Sequence, residues 1–394
     1  MIPALRRARV PNVDGLVDVV FDDDRIARLS PTVPGPGVDV DGRVVLPGLV
    51  DAHVHLDKAF HLDAIDRPIR SVHDAIACTA DVQRRLGPEV LRPNAERLLQ
   101  QMVRHGTTAA RVHVELTPAL GIDAVRWHRE VAAEWADRIT LQLVAFPQHG
   151  LFHDGSLLPL LDEALDAGCT VLGACPYSDD DQLAHIAHVF EVAARRKVPL
   201  DFHIDFTSDR DVHFVDDVVH LASLPGWRHR VAVGHVTSLA SMDDDARGSR
   251  AHALAEAGVS LISLPATDTF LERQLAPIEE LAAAGVTVAV ATNNVQNAFT
   301  PFGRGDLLQM AWLAGIVGRV DHRVLLSMVT SAPARILGLT GHGLDEGCRA
   351  DVVVLDTDRV VDAVAGPARV EATIKSGRVV WASGELRDRV SEGS

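Results

Sequence analysis

The 394-residue sequence has little cysteine, and none of it is paired. Cys78, Cys169, Cys175 and Cys348 stand far apart, with no CxxC among them. This spacing excludes a zinc knuckle and a disulfide frame, and it reads as small apolar side chains in a reducing compartment, the cytoplasm. No apolar run approaches the roughly 18 residues of a membrane span, and MIPALRRARV lacks the apolar segment of a secretion signal. Positive charge is in deficit. A formal net charge of −16 disfavours nucleic acid or an anionic membrane as partner. Phosphate-binding glycine loops are missing too, because PGPGVDVDG has the glycines but no helix pattern behind it.

What remains falls into two textures. Both ends of the chain, GLVDVVFDDDRIARL early and GCRADVVVLDTDRV with VEATIKSGRVVWASGEL late, are short β-branched runs broken by turn residues. They predict antiparallel strands, with residues 1–47 and 341–394 joined in one small β-sandwich. Residues 48–340 instead alternate apolar strand-like runs with helical periodicity. The runs are PGLVDAHVHL, TTAARVHVEL, ITLQLVAFPQ, CTVLGACPY, PLDFHIDF, RVAVGHV, VSLISLPAT and TVAVATNN. Glycines at 106, 168, 258 and 285 close several of the helices between them. Eight such units predict a parallel (β/α)₈ barrel, with a doubly wound open sheet as the other topology to weigh. In a barrel the active site lies at the strand C-terminal ends.

Those ends carry histidine. His53 and His55 alternate on one strand and therefore share a face, while His203 and His235 end two later strands. Converging on one point, they suit a single divalent ion, zinc first and iron or manganese as alternatives. The fourth strand, LGACPY, has no lysine to bridge two ions. Gln148 ends the third strand and offers both a donor and an acceptor to a ring edge. His113 and Glu115 end the second strand, and Glu115 and His149 fit either the site or its rim. The acidic runs FDDDR, YSDDDQ and SMDDDA read as solvated loops or helix starts, and His185 with His188 as an exposed helical pair.

The motifs VLPGLVDAHVHLDKAF, RVHVE, LQLVAFPQHG, FHID, GHVTSL and VTVAVATNNVQNAFTPFG follow one another along nearly the whole chain. In this order the sequence resembles the amidohydrolase superfamily, in particular its cytosine-deaminase-like branch and a relative that removes an alkylamine from s-triazines. The resemblance implies a hydrolase of C–N bonds in a small nitrogen heterocycle, in a fold whose members commonly form homo-oligomers. It implies metal ligands at His53, His55 and His203, a catalytic histidine at His235, and substrate contacts at Gln148 and Phe299. Two positions depart from it. Phe206 stands where a proton-shuttling glutamate is expected, and Asn293 where an aspartate ligates the metal, with Asn294 as its neighbour. Asn293 then remains as a weak carbonyl ligand, Phe206 and Asn294 line the substrate pocket, and Asp205 on the His203 face becomes the expected proton carrier. The two departures also motivate an alternative, a catalytically diverted barrel that binds a heterocycle with little or no metal.

Overall fold

The computed structural model describes residues 2–392 apart from 33, 34, 119, 154 and 367. Four strands, β1 (Ala4–Ala8), β2 (Val17–Asp22), β3 (Arg25–Pro31) and β4 (Val38–Asp39), form one sheet in the order β3-β2-β1-β4. The strand β5 (Val45–Pro47) then leads directly into the barrel. The barrel strands are β6 (Leu49–Val54), β7 (Thr107–Glu115), β8 (Thr140–Phe146), β9 (Val171–Ala174), β10 (Leu200–Ile204), β11 (Val231–His235), β12 (Ser260–Ser263) and β13 (Val288–Val290). They pair in sequence order and in parallel. The late strands β14 (Val352–Leu355), β15 (Val370–Lys375) and β16 (Arg378–Ala382) form a second four-stranded sheet, with β5 paired to β14.

The barrel strands are short apolar runs buried along almost their whole length, as expected when helices cover a parallel sheet. Helix boundaries follow local chemistry. Asp243 caps Asp244–Ala257 by accepting from the Ala246 amide, and Gly258, at φ +68°, ends it in the left-handed region. Two details differ from the sequence expectation. In the first sheet β1 pairs with β4 in parallel, not antiparallel, because residues 17–31 form a hairpin between them. The barrel also closes through few contacts, chiefly a bridge between Val54 and Asn293 and the bonds around it.

The surface reading of one acidic run needs correction. Asp179 is buried and accepts from the Leu151 and Phe152 amides and from His185 Nδ1 at 2.6 Å, so it pins the loop after β8. His185 is therefore fully buried, not part of an exposed pair. The periodic pattern was right, but the partner that removes the histidine from water lies outside its helix.

His128 supplies a pH-dependent contribution to stability. It is buried, stacks on Trp127, and donates from Nδ1 to the Ala124 carbonyl, while burial pushes its pKa from 6.5 down to about 3. Between these values the unfolded chain takes a proton that the folded chain refuses. The contribution is therefore complete above about pH 6.5 and is lost as pH falls toward 3. Urea midpoints measured from pH 7 to pH 4 should decline less steeply in His128→Phe than in the wild type.

Candidate active site

The site is built where β6 and β10 end. His53 Nε2 and His203 Nε2 each lie 3.3 Å from His55 Nε2, and all three rings are buried. Burial, reinforced by the neighbouring histidines, holds all three well below the usual imidazole range, so each is neutral and carries a lone pair. Their Nδ1 atoms have no hydrogen-bond partner among the described residues. Three neutral imidazoles directing Nε2 at one point cannot all satisfy one another by hydrogen bonding. A divalent cation resolves that conflict, so the donor set fits a metal.

Backbone geometry at the strand ends is unusual. Asp205 (φ +48°), His235 (φ +69°), Val236 (φ +49°) and Asn293 (φ +56°) all occupy the left-handed region. Asparagine and aspartate tolerate this, but a valine does not, and each such residue costs about 1–3 kcal/mol. The barrel walls hold these turns, which direct His235 and Asn293 at the end of the barrel. Asp51 fastens the seam beside them, accepting from the His53 and Thr292 amides and from the Thr292 hydroxyl.

His235 sits beside the cluster, with its ring centroid 5.3 Å from that of His203. Its Nδ1 lies 2.6 Å from Asp268 Oδ1, and Phe206 stacks on its face at 3.8 Å. Asp268 is fully buried on the helix after β12 and was not anticipated from sequence, since ATDTF shows only a first-turn acid. Asp205, by contrast, is turned away. Both of its oxygens accept backbone amides, Oδ1 from Phe214 and Oδ2 from Val215, so its carboxylate anchors the loop that enters Val215–Ala222. Its pKa is raised to about 6 by burial. Sharing a strand face with His203 did not bring it to the cluster, because the positive φ at 205 redirects the chain.

A second polar group lines the opposite wall. Lysine occurs at only three positions, and Lys58 is fully buried. Its Nζ lies 3.1 Å from Glu115 Oε2 and donates to Gln148 Oε1, while the Phe299 ring centroid is 5.0 Å away. Burial alone would raise the Glu115 carboxyl, but Lys58 beside it holds it below the usual range. His149 Nε2 bonds Glu115 Oε1 at 2.7 Å. Glu115 and His149 thus belong to this group, and Gln148 and Phe299 lie beside the lysine. Lys58 is absent from the residues expected from sequence, because nothing local in LDKAF sets it apart.

Beneath the histidines lies an ionic layer inside the barrel. Arg111 is buried and donates to Asp201 Oδ2 at 2.7 Å, to Gln142 and to the Ile336 carbonyl. Asp201 Oδ1 is 3.3 Å from His113 Nε2, and the His113 ring stacks on His53 at 3.8 Å. Residues 111, 113 and 115 of β7, with 201 and 203 of β10, alternate into the interior in layers, as barrel strands do.

Fold and site together define a parallel (β/α)₈ barrel whose strand ends gather a histidine cluster fit to hold a metal ion. Comparison with known proteins places it further. The model of the amidohydrolase family matches residues 44–380. A pterin deaminase of Rhizobium rhizogenes is 28% identical, over 94% of this chain and 89% of its own. An N-isopropylammelide isopropyl amidohydrolase of a Pseudomonas species is 26% identical, over 95% and 96%. The crystal structure of 5-methylcytosine deaminase from Klebsiella pneumoniae, liganded with phosphonocytosine, superposes with a TM-score of 0.91 at 25% identity, covering 97% of this chain and 98% of that one. The chain belongs to the amidohydrolase family. It is a hydrolase of non-peptide C–N bonds, and the histidine cluster is its candidate metal site. No helix among the described residues is long and apolar enough to cross a membrane.

The ionic layer yields a stability prediction. Arg111→Ala leaves Asp201 charged and buried without its guanidinium partner, and should destabilise the protein by about 3–5 kcal/mol. Equilibrium urea unfolding measures this, and a loss within about 1 kcal/mol would show that the layer is already relaxed by water.

Proposed function

We propose that the protein hydrolyses a C–N bond, by deamination or removal of an amine, in a small nitrogen heterocycle at a single divalent metal, zinc being the first candidate. The observation that carries this is the convergence of three neutral imidazole nitrogens from His53, His55 and His203 at 3.3 Å spacings. These residues would hold the ion, which when bound supplies Lewis acidity and lowers the pKa of water toward neutrality. The relatives named for pterin, N-isopropylammelide and 5-methylcytosine chemistry support a heterocyclic substrate.

The remaining roles follow from the side chains present. Asp268 fixes His235 Nδ1, leaving Nε2 as the working atom that takes a proton from water and returns it to the leaving nitrogen. Phe206, stacked on that ring, restricts its rotation and gives the pocket an apolar wall. Lys58 and Gln148 address the polar edge of the ring, with Phe299 and Asn294 closing the pocket around it. Asp205, the carrier expected from sequence, is instead the anchor of its loop. The cytoplasm suits four free cysteines.

A second reading is favoured by one observation: neither Asn293 nor Phe206 brings a carboxylate to the cluster. Under it the barrel binds a heterocycle without turnover. One experiment separates the two. Protein loaded with zinc, iron or manganese is incubated with pterins, pyrimidines, N-alkylated triazines and hydantoins, and released ammonia or amine is measured. Turnover that falls at least about 10²-fold in His235→Ala and His55→Ala supports hydrolysis. Thermal stabilisation by a heterocycle, without release from any compound, supports the binding reading. Asp268→Asn should lower kcat with little change in KM, because it acts through His235 and not on the substrate.

A further inference from the structure

Asn293 stands beside the histidine cluster, and its backbone is fixed there. Its amide donates to the His53 carbonyl at 2.9 Å, and its carbonyl accepts from the His55 amide at 3.0 Å. The residue is 1% exposed. An oxygen of this amide could ligate a cation, and a nitrogen could not, so its orientation decides what the residue does.

That orientation can be derived from groups with no freedom. The Phe299 and Thr300 amides can only donate, and both donate to Asn297 Oδ1, at 2.9 and 3.2 Å. Asn297 Nδ2 therefore points the other way, where it donates to the Lys58 carbonyl at 3.1 Å, an atom that can only accept. The same Nδ2 donates to Asn294 Oδ1 at 2.7 Å. Asn294 must then present its nitrogen onward, and Asn294 Nδ2 donates to Asn293 Oδ1 at 2.8 Å. At the end of the relay Asn293 Oδ1 accepts from Asn294, and Asn293 Nδ2 is the atom turned away from that neighbour. This nitrogen is buried and has no partner among the described residues. Reversing Asn293 alone would set two NH₂ groups against each other. Reversing all three amides would set Asn297 Nδ2 against two backbone N–H groups. The direction is fixed from residue 299 back to residue 293.

We infer that Asn293 is not a metal ligand but a hydrogen-bond donor, whose Nδ2 receives an acceptor atom of the bound heterocycle, a ring carbonyl oxygen or an unprotonated ring nitrogen. A buried amide donor without a partner costs about 1–3 kcal/mol, and an acceptor in the ligand removes that cost. An aspartate here would offer an acceptor, so the asparagine reverses the polarity of this edge of the pocket. The substrate class narrows to heterocycles carrying a carbonyl or bare nitrogen at that edge, and the metal is held by the three histidines alone. Only the identity of the acceptor rests on the heterocycle reading; the orientation of the amide does not.

Two measurements test this. The first is a neutron structure of the deuterated protein, with or without metal. Two deuterons on the Asn293 side-chain atom turned away from Asn294 are expected, and a bare oxygen there overturns the assignment whether or not the protein is an enzyme. The second is zinc affinity by chelator competition. His55→Ala should lose at least about 10²-fold, Asn293→Ala should stay within about threefold of wild type, and Asn293→Asp should bind more tightly. A loss of tenfold or more in Asn293→Ala, approaching that of His55→Ala, overturns the proposal. Wild-type protein that binds no zinc, iron or manganese contradicts the metal reading of the site, and the neutron structure then decides the amide alone.

Discussion

The site depends on how the barrel is closed. Eight parallel strands form a tube only if the last meets the first, and here β13 meets β6 through one bridge and two backbone hydrogen bonds centred on Asn293. The residues on either side of that seam are His53 and His55. Closing the barrel and placing two of the three converging imidazoles are therefore one event. Asp51 reinforces the seam by binding Thr292 through both backbone and hydroxyl. Loosening this junction would move the histidines apart before it unfolded the rest of the barrel.

The interior beneath the seam is polar to an unusual degree for a packed core. Arg111, Asp201 and His113 form one layer, the histidine cluster lies against it, and Lys58, Glu115 and Gln148 form a wall beside the cluster. Each charge meets an opposite charge or a fixed dipole, which is the condition for burying it. The layers also separate functions. The Arg111–Asp201 ion pair joins two strands across the tube, while the histidines above it leave donors and lone pairs unspent. The strained turns at residues 205, 235, 236 and 293 mark that upper level.

Much of this was legible in the sequence, for physical reasons. Buried parallel strands must be apolar, so the eight runs stood out, and alternation on a strand forced His53 and His55 to one face. What escaped notice depended on contacts between distant segments. Nothing local in ATDTF shows that Asp268 will reach His235, thirty-three residues earlier. Nothing in LDKAF shows that Lys58 will meet Glu115. Asp205 failed in the opposite sense, because strand periodicity was extended one residue past the point where φ changes sign. Asn293 was recognised as the anomaly of the chain, but its orientation depends on Asn294, Asn297 and two backbone amides beyond them, which a motif does not display.

The strand β5 has a further consequence. It lies immediately before the first barrel strand, yet it pairs with β14, about three hundred residues later. During synthesis β5 must leave the ribosome and wait without its β14 partner while all eight barrel strands are made. An edge of this kind invites pairing with the wrong chain, and here it is only three residues long, which limits that exposure. The second sheet is thus the last part of the molecule able to form, and it can form only on a barrel whose strands have all been made.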